Sequence, residues 1–437
     1  MKPALALPLV LKIFVLLVSN TWVENWQKQW RSRPKVTPVR PASRRSGKSG
    51  PKKPRKPKTP ERFYQRVFSL RVTLWYLIFQ RLHSDQTQAA VVRDVRKGGA
   101  DRFGRPGRKI SQQVKSSDTS GYNQARQRIP LEFLQAALAS LRQGLLRLVG
   151  CDPKSRAKPG PQQRSRQLLD GSTLSILLTP LLAKVYAAAR GRWGKSDWCL
   201  MRIVVGFCAR SGAVLSAVEG AVSQSEQKLA WALMEKAAAL TIWIGDRNFG
   251  IWSVVAQAVG HDQDVLVRLT QARAAKLAGG GPLRSGEDRP VHWSPSPRDQ
   301  AAPGTERQPV CGRLLYLRLR RGSTWIHLYL FTTLDVQNYP MELLVLWYGQ
   351  RWNAELHFRS VKTQMKMAEL RVCSPEMARK EFYAGLLAYS LVRAVMWEAG
   401  ERLETGLQKI SFSNARRVLL DGLQDWGRRV GEGARST

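Results

Sequence analysis

The stretch 341–367, MELLVLWYGQRWNAELHFRSVKTQMKM, constrains this chain more than any other. It follows Pro340, contains no proline and has Gly349 as its only glycine, so the sequence predicts one long helix. At ~100° per residue, Tyr348, Arg351, Glu355, Arg359 and Lys362 fall within about 80° of one another. Trp347, Ala354, Phe358, Val361 and Met365 share the adjacent face and would anchor the helix to a core. A carboxylate is thereby held among an aromatic hydroxyl and three cations on a buried support, an arrangement suited to handling phosphates around a metal. The same spacing also suits a solvated face, with Arg351 to Glu355 and Glu355 to Arg359 as i,i+4 pairs.

Charge narrows the partner. The 437 residues carry 71 Lys and Arg against 32 Asp and Glu, a net charge of +39. Such an excess favours a polyanion, through phosphate contacts and counterion release. A membrane surface or an RNA would satisfy it too, so charge names no substrate. The five cysteines, Cys151, Cys199, Cys208, Cys311 and Cys373, are scattered without any CxxC pair. Neither a disulfide framework nor a zinc site is indicated, and they read as reduced thiols of a cytosolic protein.

Along the chain, residues 1–60 read as an apolar N-terminus followed by a basic arm. The apolar run is interrupted by Lys12 and lacks a small-residue cleavage site, which argues against an export signal. Residues 27–60 mix Lys and Arg with Pro, Ser and Gly and contain no acid, a composition expected to stay disordered and to attach to DNA. Residues 61–150 read as a helical region, with helices over 63–83 and 130–148 and a loop over 97–127. Residues 151–270 read as the first part of a catalytic core. Strands are expected at 166–178, 201–209, 213–220, 241–246 and 264–270, the second and third joined as a hairpin through Arg210-Ser211-Gly212. Ser223 and Glu226 have capping-box spacing and would open a helix to about Leu240. Residues 271–335 read as an insertion, Gly- and Pro-rich at first and then strand-like at 313–320 and 324–334. Trp293, Trp325 and Tyr329 in it are candidates to stack on an unpaired base, set against the ordinary role of such residues in a core. Residues 336–437 hold the signature helix, the completion of the core and C-terminal helices, of which 374–399 opens with Ser374 as cap and Pro375. Strands first in a hairpin set and then alternating with helices imply an α/β protein with a mixed sheet and helices on its faces.

Phosphodiester hydrolysis and transfer by two metal ions need carboxylates converging from different elements. Asp170 interrupts an apolar strand and Asp246 ends the apolar run TIWIG, so both are candidates. A single aspartate in such a place is ordinarily a cap or turn residue.

Three motifs, taken together, resemble one family. The spacing Tyr348-x2-Arg351-x3-Glu355-x6-Lys362 resembles the Tyr-Arg-Glu-Lys signature of bacterial cut-and-paste transposases of the insertion-sequence-four type. LLDGSTL (168–174) is similar to their Asp-Gly-Thr-Thr motif and GDRNFG (245–250) to their Asp-Arg-x-Phe motif. The resemblance spans roughly residues 120–420, and only the apolar N-terminus and the basic arm depart from it. It implies a ribonuclease-H-like mixed-sheet catalytic domain with a β-rich insertion, preceded by a helical domain and the basic disordered arm. It also implies that Asp170, Asp246 and Glu355 are the catalytic residues and hold two Mg²⁺ or Mn²⁺ ions. Tyr348, Arg351 and Lys362 would hold terminal phosphates, with Arg359 beside them; Arg247 would bind backbone phosphate or make a structural pair.

The implied activity is cleavage of one strand at a transposon end and transfer of that end into target DNA through a hairpin. The partner is then double-stranded DNA, with a dimer in the synaptic complex, no membrane, and a cytoplasmic, nucleoid-associated location. A catalytically silent DNA- or RNA-binding relative and a metal nuclease without strand transfer are the alternatives. Binding is expected to be salt-sensitive and to survive loss of the carboxylates.

Overall fold

The computed structural model describes residues 13, 15, 19–32, 66–83, 85–104, 107–151, 160–191 and 194–428. The basic arm expected to 60 therefore lies outside the described residues from 33 onward. Its first part, 27–32, belongs instead to helix α1 (Asn20–Ser32), because Trp26 seats against Phe133 and the adjacent Trp30 stacks on Trp26.

Among the described residues four more helices precede the sheet. Helix α2 (Leu70–Leu82), LRVTLWYLIFQRL, is apolar around most of its circumference and is almost wholly buried. Helices α3 (Gln88–Arg96) and α4 (Ser120–Arg128) pack against it, and α5 (Leu131–Leu148) follows. Helix α4 corrects the loop expected over 97–127, as do two short 3-10 turns, Asp101–Phe103 and Ser111–Gln113. Its sequence, SGYNQARQR, looks polar, but Tyr122 is fully buried and donates a hydrogen bond to Gln80 Oε1 at 3.0 Å. Tyr122, Ala125 and Arg126 are its buried residues, an interior contact that local periodicity did not signal.

The sheet is built outward from β1 (Arg166–Leu177), in which Leu168, Leu169, Leu174 and Ile176 are buried. β1 pairs antiparallel with β3 (Gly194–Cys208) along nearly its whole length. On its other side it pairs in parallel with β5 (Ile242–Gly245) at its start and with β10 (Glu369–Leu370) near its end. β3 also carries β2 (Ala188–Gly191) and β4 (Val214–Ala221), both antiparallel, and the expected 210–212 hairpin joins β3 to β4. β5 pairs in parallel with β6 (Asp264–Arg268). β6 pairs antiparallel with β9 (Thr324–Thr332), which continues through β8 (Val310–Arg321) to β7 (Glu287–Trp293). The result is a ten-stranded mixed sheet in the order β2-β3-β1-β5-β6-β9-β8-β7, with β4 on β3 and β10 on β1.

Helices cover both faces. Helix α6 (Glu226–Glu235) and helix α7 (Trp252–Val259) bury Leu229, Leu233, Trp252 and Val255 against Trp243, Val265 and Val267 of the sheet. Helix α8 (Gln271–Leu277) and strand β7 occupy part of the span read as irregular from 271. The long helix expected at 341–367 is a chain of shorter ones: α9 (Met341–Gly349), a 3-10 turn (Gln350–Trp352), α10 (Asn353–Arg359) and a π-helical turn (Ser360–Gln364). Helix α11 (Pro375–Arg402) starts as expected, with Ser374 Oγ accepting from the Met377 amide at 3.3 Å, and runs through the core against α2, α5 and helix α12 (Phe412–Arg428). Among the described residues no helix is long and apolar enough to cross a membrane.

Candidate active site

Strand pairing brings the two aspartates together. Leu169 of β1 and Gly245 of β5 are parallel register partners, so Asp170 and Asp246, the next residues, leave neighbouring strands side by side. Each carboxylate is oriented by a backbone amide: Gly171 N–H donates to Asp170 Oδ1 and Asn248 N–H to Asp246 Oδ1, both at 2.9 Å. Burial pushes the Asp170 carboxyl up to about 6 against the pull of the Gly171 amide, and the negative charge of Asp246 adds to the rise. Two partly buried carboxylates thus lie side by side at the ends of neighbouring strands.

The signature residues arrive by a less regular route than a single helix. Because a 3-10 turn advances about 120° per residue and a π turn less than an α turn, the regular projection over 348–362 does not hold. Tyr348 is buried, and burial pushes its hydroxyl up to about 12; Arg351, Arg268, Asp246 and Arg247 are the charges around it. Arg351 is half-buried, lies close enough to Asp170 to offset part of its rise, and binds Glu355 Oε1 at 3.1 Å. The Glu355 side chain is 45% exposed against 12% for Arg351, so the pair sits at the rim of the pocket. The structure thus makes the Arg351 to Glu355 pair, while Arg359 and Arg247 are exposed. Among the described residues no group of three or more His, Cys, Asp and Glu side chains is close enough to hold a metal ion, and Glu355 stands on Arg351 rather than with the aspartates.

Lys362 lies within the π turn. It lines an open cleft with Gln86, Gln88, Lys366 and Arg371, and none of the three candidate carboxylates contributes to that lining. Burial lowers the Lys362 ammonium from its ordinary value. Of the aromatic residues in the insertion, Trp293 is buried edge-on against Phe331, its ring centre 4.9 Å away, which corrects its candidacy for stacking on a base. Tyr329 stacks on Tyr316 at 4.7 Å. Trp325 is 46% exposed with the Arg318 guanidinium 4.2 Å above its ring.

One residue near the aspartates escaped the sequence reading. Glu226 was assigned to a capping box with Ser223, but the cap is Ser225, whose Oγ accepts from the Lys228 amide at 3.3 Å, and the helix ends at Glu235 rather than near Leu240. Glu226 is thereby released from capping and faces β1, where its carboxylate accepts from Asn248 Nδ2 at 2.6 Å. A carboxylate directly after a serine cap, at the end of the strand pair flanking β1, was the available signal.

A family model described as "Transposase DDE domain" matches residues 161–391, just over half of the chain. The chain is 29% identical over 220 residues to the transposase InsG for insertion sequence element IS4 of Escherichia coli strain K12, a match covering 48% of this chain and 47% of that protein. The chain thus spans about half the length of that curated relative. A cryo-EM structure of the piggyBac transposase synaptic complex with hairpin DNA overlays with a TM-score of 0.40 at 10% identity, over 85% of this chain and 75% of that one. With its matched segment taking in the strand that bears Asp170, the turn that bears Asp246 and the helix that bears Glu355, and ending within α11, the chain belongs to the transposase DDE-domain family.

Proposed function

We propose that this chain is a DNA transposase that cleaves transposon ends and joins them to target DNA, with Asp170, Asp246 and Glu355 as its catalytic carboxylates. The observation that carries the proposal is the adjacency of Asp170 and Asp246 on parallel strands, in the order of motifs that the family resemblance implies. The order β4-β3-β1-β5-β6, antiparallel on one side of β1 and parallel on the other, supports a ribonuclease-H-like core. The strands of 287–332 then form the insertion, and the helices before 150 a DNA-gripping region.

The donor set fits a hard divalent cation such as Mg²⁺ or Mn²⁺, because both aspartates offer oxygens and their shared burial disfavours two uncompensated charges. A bound divalent cation supplies Lewis acidity to the scissile phosphate and lowers the pKa of water. Asp170 and Asp246 would hold it, with Glu355 as the third carboxylate in place of its pairing with Arg351. Arg351, once free, presents its planar guanidinium to a phosphate. Tyr348 stays neutral at physiological pH and donates a hydrogen bond to the same group. Lys362, Lys366 and Arg371 hold backbone phosphates along their cleft. Two copies of the chain would bring two ends together, and a hairpin would form when the 3′-hydroxyl freed by the first cut attacks a phosphodiester of the opposite strand and displaces the 3′-oxygen of the flanking DNA, which leaves as a 3′-hydroxyl.

The test uses supercoiled plasmid carrying the element's own ends, with Mg²⁺ or EDTA, and compares the wild type with Asp170→Asn, Asp246→Asn and Glu355→Gln. The expected result is nicks, hairpins and joined products for the wild type with metal only, and DNA binding without cleavage for each variant. Cleavage without joined products makes the protein a nuclease. Cleavage that persists in EDTA or in all three variants overturns the assignment.

A further inference from the structure

The loop after β5 is held from two directions. Asn248 donates its backbone N–H to Asp246 Oδ1 at 2.9 Å and its side-chain Nδ2 to Glu226 Oε2 at 2.6 Å. The neighbouring Gln227 donates through Nε2 to the Asn248 backbone oxygen at 3.1 Å and also to its Oδ1. Asn248 is thus clamped by the first two residues of α6 while its amide aims the Asp246 carboxylate. Glu226 reaches this position because β1 has no side chain beneath it: a Cβ on Gly171 would lie 2.6 Å from both Glu226 carboxylate oxygens. The same glycine follows Asp170, so the Glu226 carboxylate overlies the strand next to one aspartate and is tied to the other.

We propose that Glu226 is a positioning residue for Asp246, acting through Asn248. The inference rests on the reading of Asp170 and Asp246 as a divalent-cation site. The physical basis is that a carboxylate ligand on a loop keeps its orientation only if the loop is fixed by further hydrogen bonds, and loss of such a bond loosens the ligand without removing it. Among the described residues Asn248 hydrogen-bonds to both carboxylates, and Glu226 fixes the amide-nitrogen end of its side chain while Gln227 holds the oxygen end. Asn248, the fourth residue of the GDRNFG motif, therefore has a specific task, as does the glycine of LLDGSTL.

Two measurements on the full chain separate this inference from the cation reading. The first is amide hydrogen exchange of a peptide spanning 245–250 in cation-free buffer, by mass spectrometry. Glu226→Ala is expected to speed exchange at Asn248 by about tenfold, because opening of the loop is no longer opposed, and Glu226→Gln, which keeps an acceptor, is expected to stay within about twofold of the wild type. The second is the Mn²⁺ dissociation constant by calorimetry, expected to weaken about 10-fold in Glu226→Ala and in Asn248→Ala, with the double variant no worse than either single one. Unchanged exchange in Glu226→Ala, or a Gln variant as impaired as the Ala variant, overturns the positioning role. A wild type that binds no Mn²⁺, or an Asp246→Ala that binds it equally well, overturns the cation reading instead, and the exchange result still decides the role of Glu226.

Discussion

Leu169 and Gly245 are register partners on parallel strands, and the residue after each is an aspartate. That relationship is what turns two motifs 76 positions apart, from Asp170 to Asp246, into one acidic pocket. Parallel strands lie about 4.8 Å apart, so side chains leaving the same level of both are neighbours whatever the chain does between them.

The Asp170 carboxyl makes a stability prediction with a definite sign. Its value rises from 3.8 to about 6 on folding, first through burial, so the folded chain holds this proton more tightly than the unfolded one. The contribution of the group to stability is full below pH 3.8, falls as pH rises through about 6, and remains an uncompensated penalty above it. Asp170→Asn removes the penalty. In cation-free buffer at neutral pH the variant should melt about 2–4 °C above the wild type, and the gap should close as pH falls toward 4. Scanning calorimetry across that range checks it.

Arg351→Gln should separate stability from chemistry. The Arg351 to Glu355 pair is an i,i+4 contact with a largely solvated carboxylate, and such pairs contribute roughly 0.3–0.5 kcal/mol. The urea midpoint should barely move. Strand cleavage and joining should fall by at least about tenfold, because the planar donor to phosphate is lost. A cleavage rate equal to that of the wild type would return the pair to the role of a solvated helix face.

Gly171→Ala should be tolerated only if Glu226 yields. The added Cβ would meet the Glu226 carboxyl carbon at 2.3 Å, and that carboxyl is the end of a flexible side chain. The substitution should cost about 1 kcal/mol by urea denaturation, and nearly nothing in a Glu226→Ala background. Equal cost in both backgrounds would mean that the obstruction lies elsewhere.

Glu381 on α11 holds the helical region to the core. It is buried and paired with Arg81 of α2 and Arg126 of α4. Burial alone would raise its carboxyl, but the two guanidiniums outweigh burial and hold it below 4.5. Its stabilising effect is therefore present above pH 4.5 and lost as pH falls through the lowered value. Glu381→Ala strands two buried cations and should destabilise the fold by about 3–5 kcal/mol, read as a lowered urea midpoint at neutral pH.

Much of the architecture was legible from patterning. RQLLDGSTLSIL and TIWIG are strands because their apolar residues suit a sheet buried on both faces, and Ser374-Pro375 opens α11 because its cap and first-turn chemistry are local. Misreadings fell where distant contacts overrode local pattern. Helix α4 is stabilised by Tyr122 reaching Gln80, and Trp293 is absorbed by Phe331. The signature stretch departs from a uniform α-helix at Gln350–Trp352 and again at Ser360–Gln364, a variation in winding that side-chain periodicity does not encode.

Motif spacing was sufficient to name the family and to propose Asp170, Asp246, Glu355 and the residues around Tyr348 as candidates, because reaction chemistry demands particular side chains and those can be read one letter at a time. Proximity could not be read in that way. Asp170 meets Asp246 through strand register, Arg351 takes Glu355 to the rim of the pocket, and Glu226 reaches Asn248 over a glycine. Each of these depends on how elements far apart in the chain pack against one another, and packing is a property of the folded whole.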